Sequence, residues 1–326
     1  MSAKLRTASI ALVAVCLLLP AISPAGADDL PNKPIRIIVP LAAGSSLDSR
    51  ARVIAQALGK RLKQQPMVEN RPGAGSAIGA AYVAKSAPDG STLLFTNDSV
   101  VINPHVYRDA GYDVINDFVP VTQAYTAAMV LVVNPGVRAS SVKQLIALAR
   151  ATPGGLTYGS SGNAGLPHLA MEVFAKGAGI EVLHVPYKGD AQALNDILGG
   201  RIPAMISGIP AALPQVQAGR LRALAVTTLG RISVLPDVPT VAESGLPGYD
   251  VGAWTGFFAP AGTPPAMVAA LNGELVAALN TPEVKAHLVA TGGTVVGNSP
   301  SQFSVFVQRE FERYGKLVKE IGLKAD

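Results

Sequence analysis

Residues 35–48 read IRIIVPLAAGSSLD: a short run of β-branched residues, a proline, a glycine-serine turn and the start of an amphipathic segment. The run at 35–39 predicts a strand, because β-branched side chains fit a pleated, packed surface. After the turn, Leu47, Ala51 and Ile54 recur at helical spacing, which predicts a helix with one buried face. A strand that leads directly into such a helix is half of a βαβ unit, so the stretch indicates an α/β fold.

The same alternation of strands and helices continues outward from this stretch in two regions of the chain. The first region has predicted strands at 35–39, 67–69 and 91–96, and the second has them at 129–133, 156–159, 182–185, 204–206 and 221–226. Repetition at this spacing predicts two α/β lobes, each a mostly parallel sheet flanked by helices.

The last quarter of the chain is expected to return to the first lobe. Thr263-Pro264 has the pattern of an N-cap followed by a proline at the first helical position, and Ser299 with Gln302 predicts a capping box, as does Ser141 with Gln144. Two strands, near 124–130 and 249–255, must then cross between the lobes. The expected organisation is lobe I at 28–125, lobe II at 126–250, and a return to lobe I at 251–326.

The N-terminus has the features of a secretory signal peptide. Lys4 and Arg6 precede an apolar run at 8–19, and Ala25-Gly26-Ala27 supplies small residues for cleavage before residue 28. The run is shorter than the roughly 20 apolar residues that span a bilayer. We therefore expect an exported protein from which residues 1–27 are removed.

Removal of this segment changes the available chemistry. It takes away Cys16, the only cysteine, and with it disulfides, thiolate metal sites and a cysteine nucleophile. Loss of Lys4 and Arg6 lowers the formal net charge from +5 to +3. No basic run with interleaved aromatic residues is present, so this charge favours an anionic solute slightly and argues against nucleic acid.

The first strand-to-helix turn, Pro40–Asp48, is the most informative motif. Ligands of open parallel sheets bind beyond the carboxyl ends of strands, where a helix start offers free N–H groups and a positive dipole end to a carboxylate. Gly44 allows a close approach, and Ser45 and Ser46 add hydroxyl donors. In the alternative interpretation Ser46 is only an N-cap and Asp48 a favourable first-turn charge. Local chemistry supports both equally.

A second glycine-serine turn, YGSSGNAG at 158–165, occupies the equivalent position in the other lobe. Two such helix starts facing each other across a cleft would clamp both ends of a small acid. The competing hypothesis is a serine hydrolase that uses Ser160 or Ser161, with His168 or His184 as base. The turn lacks the G-x-S-x-G spacing of a nucleophile elbow, and these histidines fall in a helix and a strand, where structural roles are commoner.

Three further features have simpler explanations than chemistry. GAGSAIG at 73–79 imitates a dinucleotide fingerprint, but the next strand ends in Thr96-Asn97 and not in an acidic residue, so a tight turn and close helix packing explain the glycines better. The four histidines are scattered without ligand spacing, so no metal site is predicted. Trp254 fits a cleft wall or a packed hinge equally well.

The chain resembles the periplasmic solute receptors of tripartite tricarboxylate transporters, also called Bug receptors, over essentially its whole mature length. The stretches that carry the resemblance are KPIRIIVP (33–40), VENRPGAG (68–75), APDG (87–90), DFVPVT (117–122), HVPYKG (184–189), LRALAVT (221–227), LPDVPT (235–240) and APAGTP (259–264).

This resemblance implies a Venus-flytrap fold whose two lobes close on a carboxylated solute without any reaction or cofactor. It also implies a periplasmic receptor that delivers its solute to a membrane permease, and we expect the receptor to be a monomer. The ligand-binding residues that we expect, by transfer from the family and by position at strand ends, are Leu41, Ala42, Ala43, Gly44, Ser45, Asp48, Asn97, Ser160, Ser161, Gly162, Gly165, His168 and Ser207.

Two departures from the family pattern bear on the ligand. The usual Pro-Gly-Gly of the first loop is Ala43-Gly44-Ser45 here, which exchanges a flexible glycine for a hydroxyl. Ser207 stands where the family often has an acidic residue, and a serine cannot pair with a ligand ammonium group. The expected ligand is therefore a dicarboxylate or an aromatic acid, and an amino acid is disfavoured.

Overall fold

The computed structural model describes residues 30–322 except residues 32 and 164, so the predicted signal peptide and Cys16 lie outside the described residues. The strands are β1 Arg36–Val39, β2 Met67–Asn70, β3 Thr92–Asn97, β4 Phe118–Val133, β5 Leu156–Ser160, β6 Val182–Pro186, β7 Ala204–Gly208, β8 Arg222–Val226, β9 Gly252–Pro260 and β10 Gly293–Val295. The helices are α1 Ser46–Leu62, α2 Ala77–Ala84, α3 Ser99–Val106, α4 Val142–Ala151, α5 Leu166–Ala178, α6 Asp190–Leu198, α7 Ile209–Gln217, α8 Pro265–Leu279, α9 Pro282–Ala290 and α10 Pro300–Ile321.

The long strand β4 belongs to both halves of the sheet. Its first part pairs antiparallel with β9 and β10, and the order β2-β1-β3-β9-β4 completes the first half. Its second part pairs antiparallel with β7 and β8, and the order β4-β7-β5-β6 completes the other half. The partner of β4 changes between Ala128 and Met129, within the predicted crossing region.

The predicted two-lobed α/β fold is confirmed, but the sheets are mixed and not mostly parallel. β1, β2 and β3 are parallel to one another, as are β5, β6 and β7. The crossing strands β4 and β9 run antiparallel to each other; β9 is also antiparallel to β3, and β4 is antiparallel to β7.

Helix starts follow the sequence signals closely, with two differences. Ser299 and Gln302 form the predicted capping box of α10. Ser141 caps α4, but the Gln144 side chain accepts from Ser140 and not from the N-cap backbone. Helix α8 begins at Pro265 and not at Pro264, because a proline forces the residue before it into an extended conformation.

The C-terminal helix α10 packs mainly on α3 and on β4. Its buried stripe includes Phe303, Val307, Tyr314 and Val318. Among the described residues, no helix combines the length and the apolar content that a membrane span requires.

Candidate functional site

A cavity of about 620 Å³ lies between the lobes and is lined by both of them. This volume falls in the usual range of small-molecule sites, about 300–1,000 Å³. Helix starts that follow β1, β2, β3, β5, β6 and β7 all reach it. The lining residues at these starts are Ser46, Leu47, Gly75, Ser76, Asn97, Asp98, Ser99, Gly165, Leu166, Pro167, Asp190, Gly208, Ile209, Pro210 and Ala211.

This convergence follows from the topology. Each of these strands enters its helix through a short turn, so the N-termini gather at the carboxyl ends of the strands. The first N–H groups of a helix have no intrahelical partner, and the helix dipole adds a partial positive charge there. The cavity therefore favours an anion.

The first loop is held together by its own acidic residue. Ser45, not Ser46, is the N-cap of α1, and its Oγ accepts from the backbone N–H of Asp48 at 3.3 Å. The Asp48 carboxylate accepts from the N–H of Gly44 at 2.9 Å and from the side chains of Arg52 and Asn70. Burial alone would raise the pKa of Asp48, but these donors lower it. The carboxylate thus links the loop backbone to α1 and β2. Of the loop residues that we expected to bind the ligand, Leu41 lines the cavity.

The two serines of the second loop lie in different places, one in the core and one at the cavity. Ser161, Gly162 and Gly165 line the cavity, whereas Ser160 ends β5 and has 0 % of its surface exposed. The Ser160 Oγ donates to the Gly162 carbonyl at 2.8 Å and lies 2.6 Å from Nε2 of His184. That distance would suit a nucleophile and its base, but a fully buried hydroxyl cannot reach a substrate carbonyl.

The two histidines of this region stack on each other, His168 buried and His184 half-buried. The rings of His168 and His184 have centroids 3.7 Å apart. Burial and the neighbouring His184 lower the pKa of His168 to about 4, and burial lowers that of His184. Both rings are therefore neutral near pH 7, and His168 lies outside the cavity lining.

Of the other two residues that we expected to bind the ligand, Asn97 and Ser207, only Asn97 lines the cavity. Asn97 lines the cavity, and its Oδ1 accepts from the Ser99 hydroxyl at 2.6 Å. Ser207 is fully buried in β7, and its neighbour Gly208 lines the cavity instead. Gly208 ends β7 and is the N-cap of α7, so its backbone lies at the carboxyl end of the strand, beside the cavity.

The structure adds donors that the sequence did not indicate. Arg50 lines the cavity, and its guanidinium carbon lies 4.5 Å from the ring centroid of Tyr125. Nε of Arg50, Oγ1 of Thr255 and Nε1 of Trp254 are buried without a hydrogen-bond partner. Trp254 lines the cavity and also packs edge-on against Phe303 of α10 in the core. The spacing of Ser46, Leu47 and Arg50, which places them on one helix face, was the available signal.

Two acidic residues share the wall. Burial raises the pKa of Asp98 to about 7, with Glu310 acting in the same direction and Arg313 opposing it. Burial also raises the pKa of Asp190, against the effect of Ser161. Both carboxyl groups therefore bind protons more readily than usual, which reduces negative charge in the cavity wall.

The remaining motifs agree with their structural explanations. A Cβ at Gly79 would lie 2.7 Å from the Cβ of Pro40 and 2.8 Å from the carbonyl oxygen of Arg71, so this glycine permits close packing of α2 on β1. Within the described part of the chain, no three His, Cys, Asp or Glu side chains are grouped to hold a metal ion.

Two α/β lobes joined by crossing strands, with an interlobe cavity ringed by helix N-termini, define a two-lobed solute-binding protein. The family model described as the tripartite tricarboxylate transporter family receptor matches residues 50–323. The chain belongs to this family.

Known relatives match over nearly the whole chain. Protein BugT of Bordetella pertussis is 37 % identical over 304 residues, which cover 93 % of each protein. The solved structure of R. palustris Rpa4515 with adipate has 36 % identity and a TM-score of 0.79, covering 90 % of this chain and 99 % of that one. MatC (Rpa3494) from Rhodopseudomonas palustris with bound malate has 30 % identity and a TM-score of 0.74, covering 89 % and 100 %.

Proposed function

We propose that this protein is a periplasmic receptor that binds a small carboxylate, a dicarboxylate or an aromatic acid, in the cavity between its lobes. The observation that carries the proposal is the convergence of helix N-termini on a cavity that also holds buried, unpartnered donors. A carboxylate accepts from both kinds of group, and such charge-assisted bonds are stronger than neutral ones.

The relatives support this choice of ligand class. The structures with adipate and with malate share the fold of this chain at 36 % and 30 % identity. Membership in a transporter receptor family supports delivery of the solute to a membrane permease and a location in the periplasm, reached after cleavage behind Ala27. We propose that the receptor acts as a monomer and catalyses no reaction.

The proposed mechanism is closure of the lobes around the solute. Lobe I would comprise residues 28–125 and 251–326 and lobe II residues 126–250, with β4 and β9 bending at the crossing. Leu41 and Asn97 of lobe I would then approach Ser161 and Gly165 of lobe II across the acid. Closure excludes water and strengthens the hydrogen bonds that the solute makes.

The test is a thermal-unfolding screen of the chain from residue 28 onward. Mono-, di- and aromatic carboxylates are added at equal ionic strength, with sodium chloride and the corresponding amides as controls. A ligand at a hundred times its Kd stabilises the folded state by about 2.7 kcal/mol, which raises Tm by roughly 4 °C in a chain of this size. Absence of a shift with every acid would refute the proposal.

A hydrolase is distinguished in the same samples. A generic activated ester would be turned over by a serine hydrolase and left intact by a receptor. Turnover that disappears in a Ser160→Ala or Ser161→Ala variant would contradict the receptor assignment.

A further inference from the structure

We propose that Arg50 and Thr255 form a second anion subsite in the first lobe, and that this subsite selects acids with two carboxylates over acids with one. The inference rests on the proposed function and assigns the residues that set its specificity. None of the loop residues implied by the family resemblance belongs to this subsite.

Arg50 is held at the cavity wall by an anchored aromatic ring. The hydroxyl of Tyr125 lies 2.8 Å from Oγ1 and 3.2 Å from the carbonyl oxygen of Thr291, which fixes the ring. The Arg50 guanidinium lies over that ring at 4.5 Å. Stacking engages the flat face of a guanidinium, and the Arg50 Nε on its edge is buried without a hydrogen-bond partner.

The charge of Arg50 is uncompensated within the described residues. Two other partly buried arginines have acidic partners: Arg36 pairs with Glu69 at 2.5 Å and Arg313 with Glu310 at 2.6 Å. No described carboxylate stands at such a distance from Arg50, and its Nε is buried without a partner. Burial lowers the pKa of Arg50, yet an arginine remains cationic in a protein. A buried, unpaired charge is costly, so an arriving anion would relieve that cost.

Thr255 supplies the neighbouring donor. It pairs in register with Tyr125 across β9 and β4, so the two side chains lie on the same face of the sheet. Thr255 is only 3 % exposed, it lines the cavity, and its Oγ1 has no partner. A carboxylate has two acceptor oxygens, which match one guanidinium N–H and one hydroxyl.

The other anion-binding surface lies in the opposite lobe, at the start of α5, where Ser161, Gly162 and Gly165 line the cavity. An acid with a single carboxylate can satisfy one of the two surfaces. An acid with a carboxylate at each end can satisfy both, and in doing so it also holds the lobes together. The receptor is therefore expected to discriminate by the number of carboxylates.

The experiment compares matched acids by isothermal titration calorimetry: succinate with butyrate, adipate with hexanoate, and terephthalate with benzoate. Wild type is expected to bind the preferred dicarboxylate at least about tenfold more tightly than its monocarboxylate partner. Arg50→Met is expected to weaken that dicarboxylate about 10- to 100-fold, as for loss of a hydrogen bond to a charged group, and to change the monocarboxylate less than about threefold. Thr255→Val is expected to cause a smaller loss in the same direction.

The matched control is Arg61→Met, which removes the same charge from the last turn of the same helix, where Arg61 pairs with Glu274 at 2.8 Å. It should leave both affinities unchanged. The inference is overturned if wild type does not prefer the dicarboxylate, or if Arg50→Met weakens both acids equally or neither. If the proposed function itself is wrong, neither mono- nor dicarboxylates will bind to the wild type, which distinguishes that outcome from the two above.

Discussion

Replacement of Asp98 by asparagine removes a carboxyl group that folding places in the cavity wall with 4 % of its surface exposed. Burial raises the pKa of this group from its ordinary 3.8 to about 7, while Glu310 and Arg313 of α10 act in opposite directions. A tenfold change in proton affinity corresponds to about 1.4 kcal/mol, so ionised Asp98 costs the folded state about 4 kcal/mol.

The stability of the wild type depends on pH because the folded and unfolded chains ionise Asp98 at different pH values. The unfolded chain ionises Asp98 above about pH 4 and the folded protein only above about pH 7. The stability associated with this group is complete below pH 4 and lost progressively as the pH rises to 7. Relative to wild type, Asp98→Asn should therefore gain about 4 kcal/mol between pH 4 and pH 8, with no further change above.

Urea unfolding at half-unit pH steps measures this difference. Asp237→Asn is the matched control, because an exposed carboxylate is solvated in both states; its stability should follow that of wild type. A difference between wild type and Asp98→Asn that does not vary with pH would refute the reasoning. An anionic ligand disfavours ionised Asp98 further, so carboxylate affinity should rise as the pH falls through 7 in wild type and not in the variant.

Gly79→Ala would place a Cβ 2.7 Å from Pro40 and is expected to destabilise the folded state by about 1–3 kcal/mol. Gly273 lies in α8, where a Cβ would have nothing within 4 Å, so Gly273→Ala should stabilise the folded state by about 0.5–1 kcal/mol. Thermal unfolding followed by circular dichroism measures both effects. Equal effects would contradict the close-packing explanation. Trp254 is the only tryptophan and lines the cavity, so carboxylate addition should change intrinsic fluorescence, and Trp254→Phe should abolish the change. A ligand that raises Tm but leaves the emission unaltered would place binding elsewhere.

Most of the fold could be predicted because its signals are local. β-branched runs and helical spacing locate the strands and helices, and Ser299 with Gln302 marks the start of α10 to the residue. The mixed pairing of the sheets could not be predicted in the same way. The direction of β4 relative to β7 depends on which segments meet across more than 70 positions of sequence.

The site shows the same division between local and distant information. Both glycine-serine loops lie between a strand and a helix beside the cavity, yet Ser160 is buried and only Ser161 of the two serines lines the cavity, because β5 extends through Ser160. Arg50 was missed because an arginine on an amphipathic helix is typical of a solvent-exposed face. Its contact with the cavity depends on Tyr125, which is distant in sequence.

Because both half-sheets pair with β4, the chain cannot be cut into two fragments that each contain a complete lobe. A fragment that ends before residue 118 removes the strand on which β9 and β7 both pair, and one cut at residue 128 leaves each half with only part of it. Neither lobe can therefore be exchanged on its own between related proteins. Solute preference can instead vary through individual side chains that line the cavity, such as Arg50 and Thr255, while the shared framework is kept.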